Sequence, residues 1–326
     1  MSNTSFKWRP LLDTRWGIEP SGDAPTWREY RIHNPSGTVT ARSMLMRYEI
    51  AILHALARNY YTGKGAIVDG GPLLGITTNA FVKGILANRA ISNKSKRIFS
   101  FDLFDFIPDV ELLDPVPNRN GSFFDSFLEL NQDYLEYISI APGDLLQHPW
   151  NSGPIEILFI DIAKSWDLND FIVDQWFPHL IPGAYVVQQD YFSWFTYWLA
   201  ITMMGLRDHF EFVDYAMGGS AVFRCIKPIP PGMGKALRNL PFEQHEELLE
   251  LAIKSAPAPG AEVLKAVKAC FYLAFGKREE SEKVLESIQD KPLTEDWATN
   301  FGAVAVGSRD ALRLMWKENA QWVPRP

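Results

Sequence analysis

Four aspartates stand at the ends of apolar runs. Asp69 closes Ala66-Ile67-Val68, Asp102 closes Ile98-Phe99-Ser100-Phe101, Asp161 closes Ile157–Ile160, and Asp190 follows Val186-Val187 by way of Gln188 and Gln189. A carboxylate at the end of a buried strand can accept both hydroxyls of a ribose. It can also help hold a hard cation or take a proton in acid–base catalysis. Glycines follow the first aspartate at Gly70, Gly71 and Gly75. A helical pattern then starts at Thr77 or Thr78 and runs through Phe81, Val82, Ile85 and Leu86. The order is strand, tight turn, helix N-terminus. Backbone approaches a ligand closely where there is no Cβ, and the strand-to-helix turn of an open parallel sheet is where small ligands bind. The expectation is a nucleoside-containing cofactor seated on Gly71.

Alternating strands and helices must hold these residues. Strands are expected at Ala66–Val68, Arg97–Phe101, Tyr137–Ile140, Ile155–Ile160 and Ala184–Gln188. Helices are expected at Ala41–Tyr61, Thr77–Arg89, Phe123–Glu136, Leu168–Leu180 and Ser193–Met204. Such βα repetition makes a parallel sheet with helices on both faces. Continuous apolar strands are what two covered faces require. The end differs: Phe210–Tyr215 and Ser220–Ile226, joined through Ala216-Met217-Gly218-Gly219, form an expected hairpin. After the proline-rich stretch Lys227–Gly232, helical spacing returns at Phe242–Ile253, Ala261–Phe275, Glu279–Ile288 and Asp310–Asn319. The expected organisation is an irregular arm over 1–40, an α/β domain over 41–227 and a helical region over 233–326, the last a cap or an oligomerisation surface.

The bulk properties exclude several classes. The 326 residues are 47% hydrophobic and 22% charged, ordinary for a folded chain with a large core. The net charge is -7 and no basic block stands out, which argues against a nucleic-acid partner. Cys225 and Cys270 lie far apart in apolar stretches, so neither a zinc site nor a disulfide framework is expected, and a reducing, cytoplasmic location is the simplest account. Residues 1–16 show no signal-peptide pattern. No apolar run reaches the ~20 residues that span a bilayer.

Together the matches resemble class I S-adenosylmethionine (SAM) methyltransferases, most closely the macrocin O-methyltransferase-like family. That family shows acidic-x-Gly-x-x-x-Gly followed by Gly-Ser. Asp69, Gly71 and Gly75 stand at the first three positions, and Ile76-Thr77 replaces the Gly-Ser pair, keeping one hydroxyl. At the second strand the family shows Asp-x-Phe-x-Gly-Leu-Pro. Asp102, Phe104 and Pro108 match, while Phe106 replaces the glycine. Gly143-Asp144 stands where the family borders the adenine ring. Asp144 can equally cap Leu145–His148, and the two roles can coexist. The fourth strand's Ile-Asp-x-Asp-x-Tyr is kept at Asp161, but Ala163 takes the second acid's place. At the fifth strand Asp190-Tyr191 match Asp-Asp-Tyr, with Gln189 for the first acid.

The resemblance implies a Rossmann-like seven-stranded methyltransferase sheet, mostly parallel, closed by an antiparallel hairpin. It implies SAM held by Asp69, Gly71, Gly75, Thr77, Asp102 and Asp144, with O-methyl transfer to a sugar or glycosylated small molecule. Asp161, Asp190 and the Gln189 amide would be the ligands of Mg²⁺ if a metal is used, with less charge than the family's set. An acceptor hydroxyl needs a base; Asp161, Asp190 and His148 are the candidates, with His209 and His33 further away in sequence. Lys164 and Trp166 are expected to border the acceptor. Tyr191, Phe192 and Trp194 either stack on the acceptor or pack the next helix. A homodimer is the expected assembly, with no membrane partner. A non-catalytic member that binds or regulates a partner is the alternative, since Ala163 and Gln189 both weaken the acid set. A nicotinamide oxidoreductase fits least, because the glycine spacing and the closing hairpin are wrong for it.

Overall fold

The computed structural model describes residue 45 and residues 47–105, 121–215, 219–256 and 258–288. The arm at 1–40, the helix expected at 310–319, Phe106, Pro108, His33 and the hairpin turn at 216–218 lie outside the described residues.

Seven strands form one sheet. They are β1 (Ala66–Gly70), β2 (Ile98–Asp102), β3 (Ile138–Pro142), β4 (Ile155–Ile160), β5 (Leu180–Gln188), β6 (Phe210–Tyr215) and β7 (Ala221–Cys225), in the order β3-β2-β1-β4-β5-β7-β6. β1 pairs parallel with β2 and with β4, and β2 pairs parallel with β3. β6 and β7 are antiparallel, with Phe210 opposite Cys225 and Tyr215 opposite Ala221. This is the mostly parallel, Rossmann-like seven-stranded sheet with a closing antiparallel hairpin that the sequence reading expected. Every residue of β1 and β4 is buried, Asp69 and Glu156 included, which is why the other positions of both strands carry no charged or polar side chain.

The strand order places the site. The chain lays down β1, β2 and β3 outward in one direction, then returns to put β4 on the other side of β1. Ligands of open α/β sheets bind at the carboxyl ends of the strands where the order reverses. That point lies between β1 and β4, where Gly70 and Asp161 stand.

The described chain forms two compact units. One runs to Ile162 and includes His179–Val187; the other holds Ala163–Pro178 and the chain from Gln188 onward. In the first unit α1 (Arg47–Ala55) continues into a π-helical turn at Leu56–Tyr60 and packs on α2 (Ile76–Ala87). The helix expected over Phe123–Glu136 breaks into α3 (Phe124–Leu130) and a 3-10 turn at Gln132–Tyr137. Asn131, 1% exposed, stands at the break.

The second unit holds α4 (Trp166–Gln175), α5 (Tyr197–Gly205), α6 (Met233–Arg238), α7 (Phe242–Ser255), α8 (Ala258–Ala274) and α9 (Arg278–Glu286). α6 had no counterpart in the sequence reading. Its first amides are capped from another helix, with Asp174 accepting from Gly234 N at 2.6 Å, so its start signal is not local. An aromatic chain explains why the late helices belong with α4 and α5. Trp166 stacks on His245, Tyr197 meets Phe271 edge-on at 5.5 Å, and Phe271 stacks on Phe242. Cys225 and Cys270 are buried and unlinked. Among the described residues no helix is long and apolar enough to cross a membrane.

Candidate cofactor and acceptor site

Beneath the glycine turn lies a buried polar knot. Asp69, fully buried at the end of β1, accepts from the Thr77 hydroxyl at 2.9 Å and the Thr78 hydroxyl at 2.5 Å. The Thr78 hydroxyl also meets Ser100 Oγ on β2, the register partner of Asp69. Burial pushes the Asp69 carboxyl up to about 7 against the pull of both hydroxyls, and Asp102 and Asp161 push in the same direction. Asp69 and Thr77 therefore face each other and fasten the start of α2 to the sheet.

The turn itself is held from both sides. Gly71 has φ 87 and Gly75 has φ 94, a region that residues with a Cβ rarely adopt. Each also needs its bare Cα for packing. A Cβ on Gly71 would stand 2.7 Å from Ile162 Cγ2, and one on Gly75 would stand 2.2 Å from Asn131 Nδ2. Asn131 fills that space and donates to Leu74 O at 3.1 Å. The glycines are thus explained by the turn's own neighbours, the end of β4 and the α3 break.

Asp102 binds the turn to β2. Its carboxylate accepts from Leu73 N at 3.0 Å and from Phe104 N at 2.9 Å. Burial raises its carboxyl above the ordinary range, opposed by those amides. Leu73 and Phe104 sit at φ 51 and 56, and Asp190 at φ 63. Bulky residues with positive φ are outliers, and such strain clusters at ligand sites. The Leu103 amide bonds the carboxylate as well, so three of its roughly four acceptor positions are engaged. Beside it Leu103 is 54% exposed, an apolar side chain in water next to a carboxylate. A ribose bound to the carboxylate with its base over the leucine fits this pair.

Asp144 caps the 3-10 turn after β3, its carboxylate accepting from Leu146 N at 3.0 Å. His148 packs edge-on to Phe101 and lines a cavity of about 270 Å³ with Phe99, Trp150, Ser139, Gln147 and Asn151. His209 meets Pro228 O through Nδ1.

Asp161 ends β4 at the switch point, its backbone N donating to Gly70 O at 2.8 Å. In the other unit, Asp190 is held by its backbone. Its carbonyl accepts from Ser193 N and the Thr196 hydroxyl, which fixes the strained conformation. The Lys164 ammonium forms an ion pair with the Asp190 carboxylate and donates to Gln189 Oε1 at 3.3 Å. Two of the three groups expected to ligate a metal, Gln189 and Asp190, thus hold an ammonium, and Ala163 supplies no oxygen but its backbone carbonyl, which accepts from Trp198 Nε1. Among the described residues no three His, Cys, Asp or Glu side chains converge as a metal site does. This donor set does not fit Mg²⁺.

Four aromatic expectations resolve by packing. Tyr191 and Phe192 are core residues packed on each other, with Tyr191 also against Phe223. Trp166, expected beside the acceptor, is buried against His245. Trp194 packs on the α8–α9 core around Ala266 and Cys270. Sequence reading missed Asn131 and Leu103. A polar residue at the helical apolar spacing of Phe124, Phe127 and Leu128 was the available signal for Asn131.

No protein-family model matches the sequence, and no curated protein matches it. Among solved structures the chain is similar to the O-methyltransferase NovP, at 13% identity over 55% of this chain and 80% of that one, with a TM-score of 0.41. It is similar to the TDP-rhamnose 3'-O-methyltransferase CalS11 of calicheamicin biosynthesis, at 15% identity over 54% and 76%, TM-score 0.37. A third is the SAH-bound methyltransferase PaMTH1 of Podospora anserina, at 13% identity over 66% and 88%, TM-score 0.39. Likeness at this level carries no argument about activity.

Proposed function

We propose that this chain is a SAM-dependent O-methyltransferase whose acceptor is a hydroxyl of a sugar or of a glycosylated small molecule. The observation that carries the reading is the Asp102 carboxylate, bonded to the glycine turn at Leu73 N and standing next to exposed Leu103 at the carboxyl edge of the sheet. The acceptor class rests on the sequence resemblance. SAM, when bound, supplies a methyl group on a positively charged sulfur, open to in-line attack by an oxygen.

The chain's own residues have three tasks under this reading. Asp102 accepts from a ribose hydroxyl, a charge-assisted contact. The turn Gly71–Gly75, clamped by Asn131 and Ile162, keeps that pocket in shape before the ligand arrives, and positioning of this kind is the main part of a displacement reaction's catalysis. Asp190 would take the proton of the acceptor hydroxyl at a carboxylate oxygen, while the hydroxyl oxygen would receive the methyl group of the bound cofactor, with breakage of its carbon–sulfur bond and release of the neutral thioether. Asp161 and His148 are the other bases to test.

Calorimetric titration with S-adenosylhomocysteine checks the nucleoside site. Asp102→Ala is expected to weaken binding about 10- to 100-fold, the worth of charge-assisted hydrogen bonds. Equal binding by both proteins, or by neither, sinks the reading. A second reading, a methyltransferase-fold protein without turnover, is favoured by Ala163 and Gln189. It predicts binding of S-adenosylhomocysteine with no transfer from SAM to any of a panel of sugar hydroxyls.

A further inference from the structure

The acid set departs from a metal site in three coordinated ways. Ala163 removes one carboxylate, Gln189 neutralises another, and Lys164 places an ammonium on what remains. Each change alone would leave a damaged cation site. Together they form a different and satisfied one: an anion, an amide oxygen and a cation in mutual contact. Lys164 brings one positive charge to the one negative charge of Asp190.

The backbone supports this pairing. Asp190 sits at φ 63, costly for a residue with a Cβ, and two hydrogen bonds to its carbonyl hold it there. Ser165, next to Lys164, caps α4 by accepting from Leu168 N, and Trp198 holds the Ala163 carbonyl at 2.7 Å. The residues on either side of Lys164 are therefore fastened, and its side chain emerges from a defined point. The Lys164 side chain is 45% exposed and that of Asp190 16%, so an incoming molecule can reach the pair.

We propose that the Lys164 ammonium takes the place of a divalent cation at this site. It holds the Asp190 carboxylate in position and supplies the positive charge that a metal supplies elsewhere. The inference rests on the methyl-transfer reading for its chemical use, and makes that transfer metal-independent. Lys164 is a positioning residue, acting through Asp190. A divalent cation cannot bind Asp190 and Gln189 while the ammonium is there, because like charges repel and the oxygens are already engaged.

The test is Mn²⁺ binding followed by electron paramagnetic resonance, with calorimetric titration of S-adenosylhomocysteine run in parallel. Wild-type protein is expected to bind Mn²⁺ no more tightly than about 1 mM. The double variant Lys164→Ala with Gln189→Asp is expected to bind it at about 0.1 mM, in the range of weak carboxylate sites. Lys164→Gln, which keeps much of the stem but no charge, should gain affinity in the same direction. A purely structural role for Lys164 would move thermal stability and leave Mn²⁺ affinity alone. Tight Mn²⁺ binding by wild type at this site, removed by Asp190→Asn, overturns the proposal, as does failure of the folded Lys164→Gln and double variants to gain. The S-adenosylhomocysteine titration judges the methyl-transfer reading separately, since loss of that binding leaves the Mn²⁺ result standing.

Discussion

Asp69 is the clearest case of a residue whose type is set by chemistry and whose role is set by burial. The acid at the end of β1 matches a cofactor motif, yet its oxygens are bonded to Thr77 and Thr78 in a dry knot. Its carboxyl is pushed from the usual 3.8 to about 7 by burial first. The sign of the pH effect follows. Between those values the unfolded chain has released the proton and the folded chain keeps it, so stability falls as pH rises from about 4 to about 7 and is level above. Asp69→Asn keeps an acceptor and adds a donor without that titration. Urea unfolding across pH 4 to 8 should show the variant gaining on wild type as pH rises through this window. Parallel curves would mean that Asp69 is ionised in the fold.

At the scale of elements, strand ends rather than strand middles decide what the sheet can do. The carboxyl ends of β1, β2 and β4 carry the turn, Asp102 and Asp161. The amino ends carry structural ties. Glu156 on β4, 5% exposed, accepts from Thr62 N at 2.5 Å and Gly65 N at 3.1 Å, fastening the loop that enters β1. Glu156→Gln presents one acceptor and one donor where two acceptors are needed. It leaves an amide unsatisfied at a cost of about 1–3 kcal/mol, readable by urea unfolding. Binding of S-adenosylhomocysteine should be unchanged, because the substitution lies at the opposite end of the strand from the turn.

At the scale of the whole molecule, the late helices are not an appendage hung on a linker. Phe271 of α8 is fully buried and touches Tyr197 of α5, Phe242 of α7 and Phe275. Phe271→Ala should therefore cost about 3–5 kcal/mol, the range for emptying a buried aromatic position. Denaturant unfolding followed by tryptophan fluorescence would register it, since Trp166 and Trp198 lie in the same unit. A cost under about 1 kcal/mol, the size of an exposed-site change, would mean that the late helices pack only loosely on α4 and α5.

Periodicity by itself determined the sheet and its ending. Period-2 and continuous apolar runs, broken by glycine turns and followed by helical spacing, depend only on local burial, and five βα strands with a closing hairpin were legible from them. The acids at strand ends were legible for the same reason, because an apolar run that stops on aspartate marks the end of a strand. Only the tertiary structure decided what those acids do. That Asp69 meets two threonines, and that Asp190 meets Lys164, depends on side chains that converge from separate elements. Asn131 beneath Gly75, 56 positions away in the numbering, and Asp174 at the start of α6 belong to the same class. Contacts of that kind leave no spacing in the chain, since the distance that matters is through the core and not along the backbone.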